Sequence, residues 1–224
     1  MTVRIKVCCI ASEEEAALAV RHGASAIGLV SRMPSGPGPI SEERIRDIAR
    51  TVPPGVASFL LSCETAADAL IRQQRFCGTN TLQLVDDEIA AEVRRELGQS
   101  LPGIAIVQVI HVRDEASIER AQAAAETSNA ILLDSGNPAA AVRELGGTGR
   151  AHDWAISRRI RESVAIPVYL AGGLNPQNVA RAIEEVEPFG VDLCSGLRIN
   201  DQLDEQKLRD FVSAVRLAGA SLSI

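Results

Sequence analysis

The sequence predicts a single-domain (β/α)8 TIM barrel of the α/β class, spanning residues 1–224. Three observations predict it. Short β-rich runs alternate with longer helical patterns, and strands recur roughly every 25 residues, close to the usual βαβ unit. There are eight such units, whereas an open doubly wound sheet usually has about five or six strands, so the chain reads as a closed barrel. Hydrophobic residues make up 46% of the chain but aromatics only 3%. The core is therefore built from Val, Ile, Leu and Ala, which suits parallel strands covered by helices.

The first strand reads from Val3 to Cys8. Ser12 caps the helix that follows, Glu15 stands three residues on as a capping box, and Gly23 is its stop. The second strand runs from Ala26 to Val30 and leads into a Pro/Gly-rich loop from Met33 to Pro39. Ser41 caps a helix that reaches about Thr51. The third strand spans Val56 to Leu61, with a helix from Glu64 to about Gln74. The fourth spans Thr81 to Val85, with a helix from Asp87 to Leu97. The fifth spans Ile104 to Val109, with a helix from Asp114 to Ala125. The sixth spans Ala130 to Leu133; a long loop then carries Gly146-Gly147-Thr148-Gly149 before a helix from Trp154 to Glu162. The seventh runs from Pro167 to Leu170, with a helix from Asn175 to Val186. The eighth runs from Val191 to Cys194, and the last helix from Asp204 to Leu217.

Charge and composition narrow the function classes. The formal net charge is -6, with both signs interspersed, which argues against a nucleic-acid or membrane surface as the main partner. No stretch approaches the ~18 apolar residues of a membrane span. Met1 to Ile10 lacks the apolar run of a signal peptide, so the expected location is the cytoplasm. The five cysteines are Cys8, Cys9, Cys63, Cys77 and Cys194. Their count is odd and they form no CxxC motif, which argues against zinc-ribbon chemistry. A chain this long needs no covalent staples, so no disulfide framework is expected. His22, His111 and His152 are scattered, and no metal is assigned.

In a barrel of this kind, chemistry sits on the loops after the strands. Arg4, Lys6 and Cys8 share one face of the first strand, opposite Val3, Ile5 and Val7. Lys6 and Cys8 then point inward, and a nearby ammonium is expected to lower the thiol's pKa and ready it as a proton acceptor. The plainer alternative is a buried, inert cysteine. Asp134 follows the sixth strand at the mouth, as a general acid if burial raises its pKa, or as a cap or loop acceptor. Gly146 to Gly149 offers backbone N–H groups to an anion, or a mobile lid. Gly172-Gly173 and Ser195-Gly196 follow the last two strands, where many barrels bind phosphate; the alternative is ordinary tight turns.

Taken together these residues resemble the phosphoribosylanthranilate isomerase family. The resemblance rests on Lys6-Val7-Cys8; Gly146-Gly147-Thr148-Gly149 with Asp153-Trp154; Leu170-Ala171-Gly172-Gly173-Leu174-Asn175-Pro176; and Val191-Asp192 with Ser195-Gly196. Order and spacing match over nearly the whole chain. The resemblance implies a cofactor-free Amadori rearrangement of an aminoaldose phosphate to an aminoketose phosphate, in tryptophan biosynthesis. It implies Cys8 as base and Asp134 as acid. Lys6, Gly147, Thr148, Gly149, Gly172, Gly173, Asp192, Ser195 and Gly196 are then substrate- and phosphate-binding. The partner is a small phosphorylated sugar amine, handled by a monomer or homodimer.

Three positions depart from the family pattern. Cys9 stands where the family has Gly. Gly36-Pro37-Gly38 stands where the family's Ser-Pro-Arg holds the anthranilate carboxylate. Gln83-Leu84-Val85-Asp86 replaces Gln-Leu-His-Gly. Three readings stay open: an isomerase of this type, a diverged isomerase of another phosphorylated sugar amine, and a non-catalytic barrel that binds phosphate ligands.

Overall fold

Eight parallel strands close on themselves in chain order, the eighth pairing back onto the first. The structure is a computed structural model that describes residues 2–136 and 152–221. The strands are β1 (Arg4–Val7), β2 (Ala26–Val30), β3 (Ala57–Ser62), β4 (Thr81–Leu84), β5 (Ala105–His111), β6 (Ala130–Asp134), β7 (Val168–Leu170) and β8 (Gly190–Leu193). They alternate with α1 (Glu13–Arg21), α2 (Glu42–Thr51), α3 (Ala67–Cys77), α4 (Ala91–Ser100), α5 (Ala116–Ala125), α6 (Trp154–Ser163), α7 (Val179–Val186) and α8 (Glu205–Ser221). This is the βα alternation that the sequence predicts.

Side-chain alternation along each strand divides the core into two layers. Val3, Ile5 and Val7 join Ile27, Leu29, Leu60 and Leu82 in the layer that meets the helices. Cys8 joins Ala26, Val30, Phe59, Leu61, Val109, Leu132 and Tyr169 inside the barrel. Branched aliphatics filling both layers account for the low aromatic content.

Local chemistry sets the helix starts. Ser12 Oγ accepts from the Glu15 N–H at 3.2 Å, and Ser41 Oγ from the Arg44 N–H at 3.3 Å, as the sequence reading expects. The Glu15 carboxylate does not reach back to Ser12; it accepts from the Ala11 N–H at 2.9 Å. Three helices begin later than their sequence patterns suggest. Ser62 Oγ accepts from the Glu64 N–H, Asp86 Oδ1 from the Glu88 N–H, and Asn175 Oδ1 from the Gln177 and Asn178 N–H groups. These local turns compete with the first helical turn, so α3, α4 and α7 start at Ala67, Ala91 and Val179 rather than at Glu64, Asp87 and Asn175.

After β8 the chain makes a 3-10 turn, Ser195–Leu197, and a small antiparallel ladder of β9 (Arg198–Ile199) and β10 (Gln202–Leu203). The sequence reading missed this ladder. Its Asn200-Asp201 turn has both φ angles positive, 49° and 61°, as tight hairpins favour. Among the described residues, no helix is long and apolar enough to cross a membrane.

Candidate active site

A cavity of about 740 Å³, counting the open space at its mouth, lies over the C-terminal ends of the strands. Its wall includes Cys8, Asp134, Asp192, Gly172, Gly173, Ser195 and Gly196, together with Gln83, Val85 and residues of the 33–39 loop. The sulfur after β1, the carboxylate ending β6 and the two late glycine turns therefore face one space. Gly147, Thr148 and Gly149 lie outside the described residues.

Cys8 follows β1, its N–H bonded to the Leu193 carbonyl at 2.7 Å. It needs room on its flank, and β2 supplies that room with Gly28. A Cβ at Gly28 would stand 2.7 Å from Cys8 Sγ and 3.2 Å from Lys6 Nζ. The sequence signal for this was a glycine in the middle of an apolar strand, which marks a close approach.

The expectation of a lowered Cys8 pKa is corrected. Burial pushes the thiol up to about 11, outweighing the pull of the Lys6 ammonium. Lys6 is fully buried, and its Nζ sits 2.7 Å from Asp192 Oδ2. Burial alone would discharge it, but the Asp192 carboxylate beside it holds its pKa above the ordinary lysine value. Its charge is thus shared with a carboxylate as well as a thiol. Lys6 does not form part of the cavity wall, although Asp192 does. Asp192 Oδ1 is buried and has no hydrogen-bond partner among the described residues.

Asp134 ends β6, and its Oδ1 accepts from the Ser135 N–H at 2.7 Å. Burial raises its pKa, against the opposing pull of that N–H and of His111. Sequence reasoning missed His111. It is buried on β5 in register with Asp134, and its Nε2–H donates to the Val85 carbonyl at 3.0 Å. The available signal was a histidine at the end of a strand, two residues beyond the predicted boundary at Val109.

The two phosphate-type turns touch. A Cβ at Gly196 would meet the Leu174 carbonyl oxygen at 2.7 Å, so only glycine lets the β8 turn approach the β7 turn this closely. On the other side of the mouth, Ser35, Gly36 and Pro37 line the wall, and Gly38 lies against Cys9. A Cβ at Gly38, where φ is 86°, would stand 2.6 Å from Cys9 Cβ. Two of the departures from the family pattern are therefore one packing event: the side chain at Cys9 fills the space that a larger residue at Gly38 would need.

No disulfide framework is expected from the sequence, yet the structure contains one disulfide. Cys9 and Cys194 form a disulfide, with Cα atoms 5.7 Å apart. They are separated by 185 residues in the chain, but barrel closure pairs β1 with β8 and puts Val7 opposite Leu193. Cys8, Cys63 and Cys77 take no part in this bond. Among the described residues, no group of three or more His, Cys, Asp or Glu side chains could hold a metal.

Comparison with known proteins bears on this arrangement. Residues 5–214 match the family model for N-(5'-phosphoribosyl)anthranilate (PRA) isomerase. The chain is 34% identical to N-(5'-phosphoribosyl)anthranilate isomerase of Methanocella arvoryzae, covering 96% of this chain and 98% of that one. The phosphoribosyl anthranilate isomerase of Thermotoga maritima superposes with a TM-score of 0.81 at 30% identity, covering 95% of this chain and 98% of that one. A structure of phosphoribosyl anthranilate isomerase in complex with reduced 1-(o-carboxyphenylamino)-1-deoxyribulose 5-phosphate gives 0.79 at 28% identity, with the same coverage.

Proposed function

The chain belongs to the N-(5'-phosphoribosyl)anthranilate isomerase family, and on that premise we propose that it carries out the Amadori rearrangement of phosphoribosylanthranilate, in the tryptophan pathway of the cytoplasm. The observation that carries the reading is the convergence of Cys8 and Asp134 on one cavity that also holds two glycine turns. Asp134, kept protonated above the ordinary carboxylate range by burial, gives its proton to the ribose ring oxygen. The ring opens to a Schiff base. The thiolate form of Cys8, a minor fraction at neutral pH because burial raises the thiol to about 11, then takes the proton from C2, and the resulting enolamine tautomerises to the ketone. No electrons leave the substrate, so the reaction needs no redox cofactor.

The phosphate sits among the backbone N–H groups of Gly172, Gly173, Ser195 and Gly196, the usual anchor of such barrels. Asp192 Oδ1 accepts from a sugar hydroxyl. Lys6 acts through Asp192, orienting that carboxyl and opposing the burial that raises its pKa. Turnover of phosphoribosylanthranilate tests the assignment. Cys8→Ala and Asp134→Ala should each cost at least the ~10²–10⁴-fold that a positioned acid or base supplies, with unchanged circular dichroism. Normal turnover in either variant rejects its role.

One observation favours a second reading, the same chemistry on a different amine. No lysine or arginine is among the described residues of the cavity wall, and Gly38 stands where the family's arginine would meet an aromatic carboxylate. A buried carboxylate left without its bidentate partner costs ~2–5 kcal/mol of binding. Rescue of a tryptophan auxotroph lacking the isomerase supports anthranilate. Failure of rescue by a folded protein that isomerises another phosphorylated sugar amine supports the second reading.

A further inference from the structure

Three cysteine sulfurs stand at the mouth of the cavity, and only one of them has a part in the isomerisation. Cys8, Cys9 and Cys194 all line the wall. Cys9 directly follows the base, and Cys194 directly precedes Ser195-Gly196. Their disulfide therefore ties the end of β1 to the turn proposed to hold phosphate. Cys9 Sγ also lies 3.6 Å from the Pro37 carbonyl oxygen, so the same bond touches the 33–39 loop. Cys9 has a φ of 62°, in the left-handed region that L-residues rarely adopt. It is held there by Arg198, which donates to the Cys9 carbonyl and pairs with Glu15 at 2.9 Å. Of the two sulfur-bearing residues, Cys9 is buried and Cys194 partly exposed to the cavity.

We propose that Cys9 and Cys194 form a thiol–disulfide exchange site on the rim of the cavity, reacting with small thiols and dithiols, and that its redox state sets the affinity of the cavity for a phosphate group. A thiolate attacks the more exposed Cys194 Sγ, the Cys9–Cys194 bond breaks, and Cys9 leaves as a thiolate that takes up a proton. A second thiol resolves the mixed disulfide and frees the Cys194 thiol. The external pair is oxidised to a disulfide by two electrons, the protein pair is reduced by two, and a small disulfide runs the sequence backwards. In the disulfide form the turn at Ser195 is tied to an anchored Cys9 and is pre-organised for an anion. Reduction releases that tie, and ordering the turn must then be met from binding.

The coupling to phosphate rests on the phosphate site proposed above, so the experiment reads the two parts separately. The full chain is equilibrated with dithiothreitol or with oxidised glutathione, without denaturant. Alkylatable thiols are counted by mass spectrometry after unfolding, and inorganic phosphate is titrated by calorimetry. The count should move reversibly between five and three, and phosphate should bind about five-fold or more weakly to the reduced form. Cys9→Ala/Cys194→Ala should bind phosphate as the reduced form does, whichever reagent is present. A count that does not respond to the reagents in the native protein overturns the exchange site. Equal phosphate affinities in the two forms overturn the coupling. Phosphate binding to neither form overturns the phosphate site and the coupling together, and leaves the exchange site to be decided by the thiol count.

Discussion

Lys6 Nζ lies 2.7 Å from Asp192 Oδ2, between residues that face each other in register across the β1–β8 seam where the barrel closes. The pair is sealed, with side-chain exposures of 0% and 7%. Phe59 lies beneath it, its ring centroid 5.0 Å from the ammonium. Asp192 belongs both to this buried pair and to the cavity wall.

Removing half of this pair should be costly. Lys6→Met leaves the Asp192 carboxylate buried without its counter-ion, and breaking a buried pair on one side costs ~3–5 kcal/mol. Urea unfolding should show that loss. Lys6→Met/Asp192→Leu should recover part of it, since two apolar side chains leave no unpaired charge. A double variant no more stable than Lys6→Met would mean that the pair is not a coupled unit.

The raised Cys8 pKa makes a prediction about reactivity. The thiol is neutral until the pH approaches about 11, so its thiolate fraction grows tenfold per pH unit throughout the neutral range. Alkylation of Cys8 by iodoacetamide, followed on the Cys8 peptide, should still be accelerating at about pH 10. In Lys6→Met the ammonium that pulls the value down is gone, and the profile should move to higher pH. A plateau below about pH 9 in the unaltered protein would show that burial does not dominate this thiol.

How much of this was legible in the sequence differs by distance along the chain. The barrel was, because period-two strands and helical patterns are local signals, and the inward aim of Cys8 followed from that same alternation. The Cys9–Cys194 bond was not, since its partners become neighbours only when β8 closes on β1. The sign of the Cys8 shift was missed for the same reason. Lys6 was visible beside it in sequence, but Asp192, which shares the ammonium, and the burial that outweighs it come from the closed barrel. The late starts of α3, α4 and α7 were hidden because Ser62, Asp86 and Asn175 hold backbone N–H groups that a propensity reading gives to the helix.

Gly28 tests how tightly the base is held. Its φ lies outside the left-handed region, so alanine is acceptable to the backbone and the effect of Gly28→Ala is purely one of space. The new methyl group must displace Cys8 Sγ, which would otherwise stand 2.7 Å from it. Overpacking of this kind costs ~1–3 kcal/mol of stability. A displacement of about 1 Å at a reacting atom costs on the order of 10² in rate, so kcat should fall far more than KM rises. Unchanged kcat in a folded Gly28→Ala protein would remove Cys8 from the reacting centre.

Asp134→Asn should separate stability from catalysis. Burial raises the Asp134 pKa in the folded chain, against the opposing Ser135 N–H and His111. Between the unfolded value near ~3.9 and the higher folded value, the native state holds more protons than the unfolded chain. The contribution of this group to stability is therefore fully present below the unfolded pKa and is lost as the pH rises through the folded one. Asparagine keeps the acceptor for the Ser135 N–H, which lies 2.7 Å from Oδ1 in the native protein, but carries no proton to lose. The urea midpoint of Asp134→Asn, compared with that of the unaltered protein from about pH 4 to about pH 8, should move progressively upward with pH, while turnover is absent throughout. Two parallel curves would mean that the carboxyl titrates alike in the folded and unfolded chain, and would take away the protonated acid on which ring opening depends.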